Sequence, residues 1–187
     1  MPYIPGDFPK MPTHSAFHWL VDEWVKPILL VVVFVALINL VFPRYAVEGR
    51  SMEPSLHDSD RLFVSNLDPL NRPLERGEVV ILTSPYDGET VVKRVIGLPG
   101  EVVTIRAGVV YVNDVPLDEP YIFEPPLYNG NWEVPAGHYF VLGDNRNHSL
   151  DSADYGPVSE GEISGVVKFR FLPLDQVQWF NAPDYMR

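Results

Sequence analysis

The sequence predicts a mainly β protein, a curled antiparallel sheet or partly open β-barrel, preceded by one N-terminal membrane-spanning helix. Three observations carry this expectation. Seven short runs rich in β-formers follow residue 43, separated by turn residues. No long amphipathic helical repeat interrupts them, so the folded part has little helix. An uncharged apolar run, Pro27 to Phe42, stands before them.

Residues 1–18 carry four prolines and little periodicity, and read as a flexible tail. "WLVDEWVKPILLVVVFVALINLVFPR" follows, at 19–44. Sixteen residues of helix cover about 24 Å, slightly short of a hydrocarbon core of about 30 Å. Extended back to Trp19, the segment 19–42 is long enough, with Lys26 snorkelling and Trp19 and Trp24 at the headgroups. Pro27 suits a first helical turn and Pro43 a helix end. A buried core helix would be unusual at this purity in so small a chain. A cleaved leader lacks its small-residue cleavage pattern after Phe42. An uncleaved anchor is therefore the expectation. Charge does not orient it, because Lys10 and Lys26 precede the span and Arg44 and Arg50 follow it.

Residues 43–187 form the expected β domain. Its strands are 61–67, 78–83, 90–96, 101–106, 109–113, 138–144 and 163–172. Ala107-Gly108 and Asn113-Asp114 sit where tight hairpin turns belong. Residues 114–136, rich in proline and aromatics, read as an ordered excursion or small subdomain. The net charge of -11 argues against nucleic acid. The absence of cysteine removes disulfides, thiolate metal sites and a cysteine nucleophile. His14 and His18 have no third ligand nearby, so neither a metal nor a cofactor is expected.

The chemistry begins with "VVKRVIGLPG" at 91–100. Strand alternation puts Lys93 on one face with Val91 and Val95, and Arg94 on the other with Val92 and Ile96. One of the two cations is misplaced for a simple solvated sheet. A lysine on an apolar face ordinarily snorkels. If it is buried instead, its ammonium is disfavoured and the neutral amine becomes a competent base for a serine hydroxyl. Ser51 lies in a turn between Gly49 and Pro54. Ser149 lies in the polar loop "GDNRNHSLDSADYGPV". Taken singly, turn serines and polar loops serve their own backbone.

Three segments in order resemble bacterial type I signal peptidases. These are "GRSMEPSL" (49–56), "VVKRVIGLPGE" (91–101) and "GDNRNHSLDSADYGPV" (143–158), with "RGEVVIL" (76–82) between the first two. The resemblance spans about residues 20 to 172. It implies a serine endopeptidase that removes signal peptides from exported preproteins, with Ser51 as nucleophile and Lys93 as general base. Ser149 would orient the lysine amine, and the Ser51 backbone N–H would serve the oxyanion. Asp144, Arg146, Asp151 and Ser152 would support the loop. Small residues would be preferred at the first and third positions before the cut. The resemblance also implies a single-pass protein of the bacterial cytoplasmic membrane, its tail cytoplasmic and its domain outside. The bilayer and preproteins are then its partners.

Two departures bear on this. Gly49 stands where many members have a serine that supplies a second oxyanion donor. Ala153 stands where the family usually has an arginine that pairs with the aspartate at Asp151. Arg94, facing away from Lys93, is expected to reach the same loop. An alternative is a membrane-anchored β module that has lost catalysis and only binds exported chains. Self-cleaving repressors of DNA-damage responses also use Ser-Lys chemistry, but they need a DNA-binding head and no span. A eukaryotic-type signal peptidase would hold histidine in place of Lys93. Chain length favours an enzyme of membrane-held substrates. Nine steps from Phe42 to Ser51 cover at most roughly 30 Å.

Overall fold

The computed structural model describes residues 21–41 and 43–181. The tail at 1–18, Trp19 and Phe42 lie outside them. The chain divides into two units, residues 1–40 and 41–187. In the first, a π-helical stretch, Val21–Val25, leads into an α-helix, Lys26–Val41. Among the described residues no helix is long and apolar enough to cross a membrane.

Among the described residues the second unit holds twelve strands. In chain order they are β1 (Arg44–Ala46), β2 (Arg61–Ser65), β3 (Val79–Thr83), β4 (Thr90–Gly97), β5 (Val102–Arg106) and β6 (Val109–Val112). Then come β7 (Val115–Pro116), β8 (Gly130–Glu133), β9 (His138–Leu142), β10 (Val158–Ser159), β11 (Ile163–Leu172) and β12 (Gln178–Trp179). Every pairing is antiparallel, as expected. The sheets are not closed into a barrel. One runs β1-β2-β11-β3-β4-β9-β10 with β12 added to β11, and the other runs β7-β6-β5-β8.

All seven expected strands are present, within two residues at each end. The turns form for the anticipated reason. Ala107, Gly108, Asn113 and Asp114 all have positive φ, which tight two-residue hairpins require. Segment 114–136 contributes β7 and β8 at the two edges of the smaller sheet.

Alternation on the strands sends side chains into three apolar clusters. One gathers Val80, Leu82, Val95, Tyr139 and Val141, with Val91 against it. A second gathers Met52, Leu56, Leu62, Val64 and Ile81, with Val92 against it. A third, under the smaller sheet, includes Ile96, Val103, Phe140 and Leu142. β4 contributes to all three, so from Lys93 to Gly97 neither of its faces meets water.

A buried ion pair fixes the segment just after Ser51. Arg170 Nη1 donates to Asp60 Oδ2 at 2.7 Å, and the His57 N–H donates to the same oxygen at 3.0 Å. Arg170 and Asp60 are 6% and 3% exposed. Removing one partner strands the other charge without water. We expect Asp60→Ala to lower unfolding stability by about 3–5 kcal/mol, read from urea denaturation. A loss below about 1 kcal/mol would place the pair among the inconsequential surface ones.

Candidate active site

β4 pairs with β3 over residues 90–94 and with β9 from Arg94 onward. Covered on both faces, it buries two adjacent cations. Lys93 is 2% exposed and Arg94 4%.

The two are accommodated differently. Arg94 donates from Nε and Nη2 to Asp144 Oδ1 and Oδ2 at 2.8 and 2.7 Å. Its Nη1 donates to the Gly77 carbonyl at 2.8 Å, and its guanidinium lies 4.0 Å over the Tyr121 ring. This fork fits a carboxylate on two points and keeps its charge. Arg94 thus reaches the loop after β9, as alternation anticipated. Lys93 forms no ion pair among the described residues. Its Nζ donates to Ser51 Oγ at 3.0 Å. Burial pulls the amine below lysine's ordinary pKa, while the charges of Asp151 and Asp144 oppose it.

The turn that carries Ser51 is tied down from both ends. The Gly49 N–H donates to Asp58 Oδ1 at 2.9 Å, and the Val47 N–H donates to the Asp60 carbonyl at 2.9 Å. Met52 and Leu56, on either side of the turn, are buried in the second cluster. Among the described residues no protein group accepts from the Ser51 N–H, which leaves it available for a developing negative oxygen.

The loop after β9 closes over this turn. The Asn145 N–H donates to the Ser51 carbonyl at 3.0 Å, and Asn145 Nδ2 donates to the Arg50 carbonyl at 3.1 Å. A Cβ on Gly143 would come within 2.5 Å of the Ser51 carbonyl oxygen and 2.3 Å of Ser149 Oγ. Glycine is what lets both serines approach this backbone. The Gly143 N–H donates to Asp151 Oδ2 at 2.9 Å, and Arg146 Nε donates to the Gly143 carbonyl at 3.1 Å. Arg146 Nη1 also donates to Glu119 Oε2 at 2.8 Å, joining the loop to segment 114–136. Ser152 Oγ accepts from the Val141 N–H at 3.0 Å.

Beside Ser51 runs a groove of about 500 Å³. Tyr45, Ala46 and Val47 form one side, Thr90, Val91 and Val92 the other, and Met52 and Ile81 line it with them.

The family model described as "Signal peptidase, peptidase S26" matches residues 21–172. The chain belongs to this family. It is accordingly a serine peptidase. A signal peptidase I from Bacillus licheniformis is 37% identical over 169 residues, covering 83% of this chain and 91% of that one. A protein from Synechocystis named probable signal peptidase I-1 is 40% identical over 162 residues, covering 80% and 82%. A crystal structure of a signal peptidase I from Enterococcus faecalis V583 is 35% identical, with a TM-score of 0.48. It covers 51% of this chain and 97% of that one.

Within this peptidase the two departures acquire physical form. Gly49 has φ +84°, where a side chain is strained. Asp151 lacks the arginine but accepts from the Gly143 and Ala153 N–H groups and caps the helical turn Ser152–Tyr155. Burial pushes its carboxyl upward, and the Gly143 N–H, the nearby Ser149 hydroxyl and the Ala153 N–H oppose the shift. Ser149 Oγ is buried and makes no hydrogen bond by distance and angle among the described residues. The side chain turns its hydroxyl against Gly143 instead.

Sequence reasoning missed Gly143, Asn145, Glu119, Asp58 and Asp60. Gly143 and Asn145 act through backbone approach to a turn over ninety residues away, which no local pattern records. We expect Gly143→Ala to displace the Ser51 carbonyl or Ser149. A shift of about 1 Å costs about 100-fold in rate. Peptide cleavage read beside far-ultraviolet circular dichroism checks this, and full activity in the folded variant would contradict it.

Proposed function

We propose that this peptidase is a membrane-anchored endopeptidase that removes N-terminal signal peptides from exported preproteins, with Ser51 as nucleophile and neutral Lys93 as general base. The observation that carries the proposal is the 3.0 Å contact between a buried lysine amine and a half-buried serine hydroxyl.

With the amine neutral, the contact runs in the other sense, the Ser51 hydroxyl donating to Nζ. Attack of Oγ on the scissile carbonyl then passes the proton to Lys93. The resulting ammonium protonates the departing amine. Lys93, neutral again, takes a proton from the water that cleaves the acyl-enzyme ester. It passes that proton to Ser51 Oγ as that oxygen leaves, which restores the hydroxyl and the neutral amine. The Ser51 N–H donates to the oxyanion in both steps. Ser149 is retained as the orienting group. Its hydroxyl is buried, unpartnered and packed on the same glycine that abuts Ser51, ready to accept from the ammonium form of Lys93. Asp144, through Arg94, and Arg146, Asp151 and Ser152 hold the loop.

The groove supports a polypeptide substrate in extended form. Among the described residues β1 pairs only with β2, and residues 90–92 of β4 pair only with β3, so the groove has an unpaired strand edge on each side. Main-chain bonds to these edges bind a peptide irrespective of its sequence. Its apolar part, Ala46, Val47, Met52, Ile81, Val91 and Val92, suits the small residues implied before the cut, and Glu48 and Glu89 line it as well. The apolar segment at 19–42 supports a single-pass anchor, and the family resemblance supplies its membrane and orientation, the bacterial cytoplasmic membrane with the tail cytoplasmic and residues 43–187 outside. The short connection from Phe42 keeps Ser51 within roughly 30 Å of the anchor's end, the height at which a membrane-held signal peptide ends.

Detergent-solubilised protein should cleave a preprotein bearing an Ala-X-Ala site, and Ser51→Ala and Lys93→Ala should each lower the rate at least about 1,000-fold. The amine is active only when deprotonated. kcat/KM should therefore rise with pH through an ionisation below lysine's ordinary 10.5 and then level off. No cleavage by the unaltered chain, or a rate that rises only with a free-lysine ionisation, would sink the proposal.

A further inference from the structure

A second cavity, of about 490 Å³, flanks the Ser51 turn. Arg50, Glu53 and His57 from the turn form one wall, Asn145 and His148 from the loop after β9 another, and Phe123 and Glu124 from segment 114–136 a third. It shares no lining residue with the groove, although both are lined by the turn that carries Ser51. The turn therefore stands between the two, and a peptide entering both passes over Ser51. Asn145 ties the cavity to the reacting centre, because its N–H donates to the Ser51 carbonyl and its Nδ2 to the Arg50 carbonyl.

We infer that this cavity is the subsite for the leaving side of the substrate, the first residues of the polypeptide after the cut bond. The inference rests on the peptidase reading above. The groove, with two open strand edges, takes the segment before the bond, and the second cavity, on the other side of the Ser51 turn, remains for the residues after it. Two features give it chemistry. Phe123 is 82% exposed, a large apolar ring held out to water at the cavity's lining. A side chain of the bound peptide covers it. Glu124 lies in the same wall and forms no ion pair among the described residues, whereas Arg50 has Glu53 at 3.9 Å. The unpaired carboxylate favours a basic residue shortly after the cut and disfavours an acidic one.

The subsite also gives segment 114–136 a function. Arg146 holds Glu119 of that segment and the Gly143 carbonyl together. Phe123 and Glu124 come within five residues of this anchor, so the excursion is fixed relative to the nucleophile's loop.

The test uses the full chain in detergent and two peptides identical up to the cut. One continues for six residues, and the other ends in a small reporter amide. We expect the long-to-short ratio of kcat/KM to fall about tenfold in Phe123→Ala, as the loss of one side chain's apolar contact. The fall should appear in KM. Glu124→Gln should erase a preference for lysine over glutamate at the second residue after the cut. Both variants alter exposed side chains, so folding is not at issue. Cleavage of both peptides with the ratio and the preference unchanged would overturn this subsite alone. Cleavage of neither by the unaltered chain would overturn the peptidase reading and the subsite with it.

Discussion

Two neighbouring cations on a strand buried on both faces must each find a way to exist without water. Removing a full charge from water costs several kcal/mol even after relaxation, and only well-placed partners offset it. On β4, Arg94 takes the partners. It has both oxygens of Asp144, a backbone carbonyl and an aromatic face. Arginine cannot lose its proton under ordinary conditions, so the paired position suits it. Lys93 is left with a serine hydroxyl and the distant fields of carboxylates. Lysine can meet the same cost by giving up its proton. The contrast between the two positions pulls the Lys93 amine below lysine's ordinary pKa while Arg94 keeps its paired charge.

The rest of the site depends on holding that arrangement. Asp144 pairs with Arg94, so the strand that carries Lys93 also fixes the loop that covers Ser51. The next residue along, Asn145, bonds the Ser51 backbone. The one before, Gly143, is narrow enough for Ser51 and Ser149 to meet it. Asp151 then anchors Gly143 and caps the adjoining helical turn. Two backbone N–H groups bond Asp151, so with Ala153 at the nearby position the carboxylate is not left unbonded.

Strand alternation and turn chemistry are encoded locally, and that much was legible in the sequence. The seven longer strands and the turns at Ala107-Gly108 and Asn113-Asp114 belong here, as does the divergence of Lys93 and Arg94. β1, β7, β10 and β12 were not legible. They are two or three residues long and exist because a neighbouring edge supplies their bonds. β8 was hidden in the proline-rich excursion, where Gly130 and Asn131 read as turn. Within the site, the residue types were visible but the contacts of Gly143, Asn145 and Glu119 were not, because each joins segments far apart in the chain. The resemblance, not local spacing, singled out Ser149 in this loop, and the direction of its hydroxyl is set by the packing around it.

The oxyanion side shows how backbone conformation limits what a site can recruit. Gly49 occupies the position where a serine hydroxyl would give a second donor. There is room for a Cβ, since nothing lies within 4 Å of it. Space is therefore not the obstacle. The obstacle is φ at +84°, a region that costs a residue with a side chain on the order of 1 kcal/mol or more. The Gly49 N–H, bonded to Asp58, holds that conformation in place. Relaxing it to admit a serine would loosen the turn that presents Ser51. In the proposed mechanism the chain accordingly relies on the Ser51 N–H, whose direction is set by the same turn. Rigidity of the turn and the absence of a side-chain donor are two consequences of one backbone geometry.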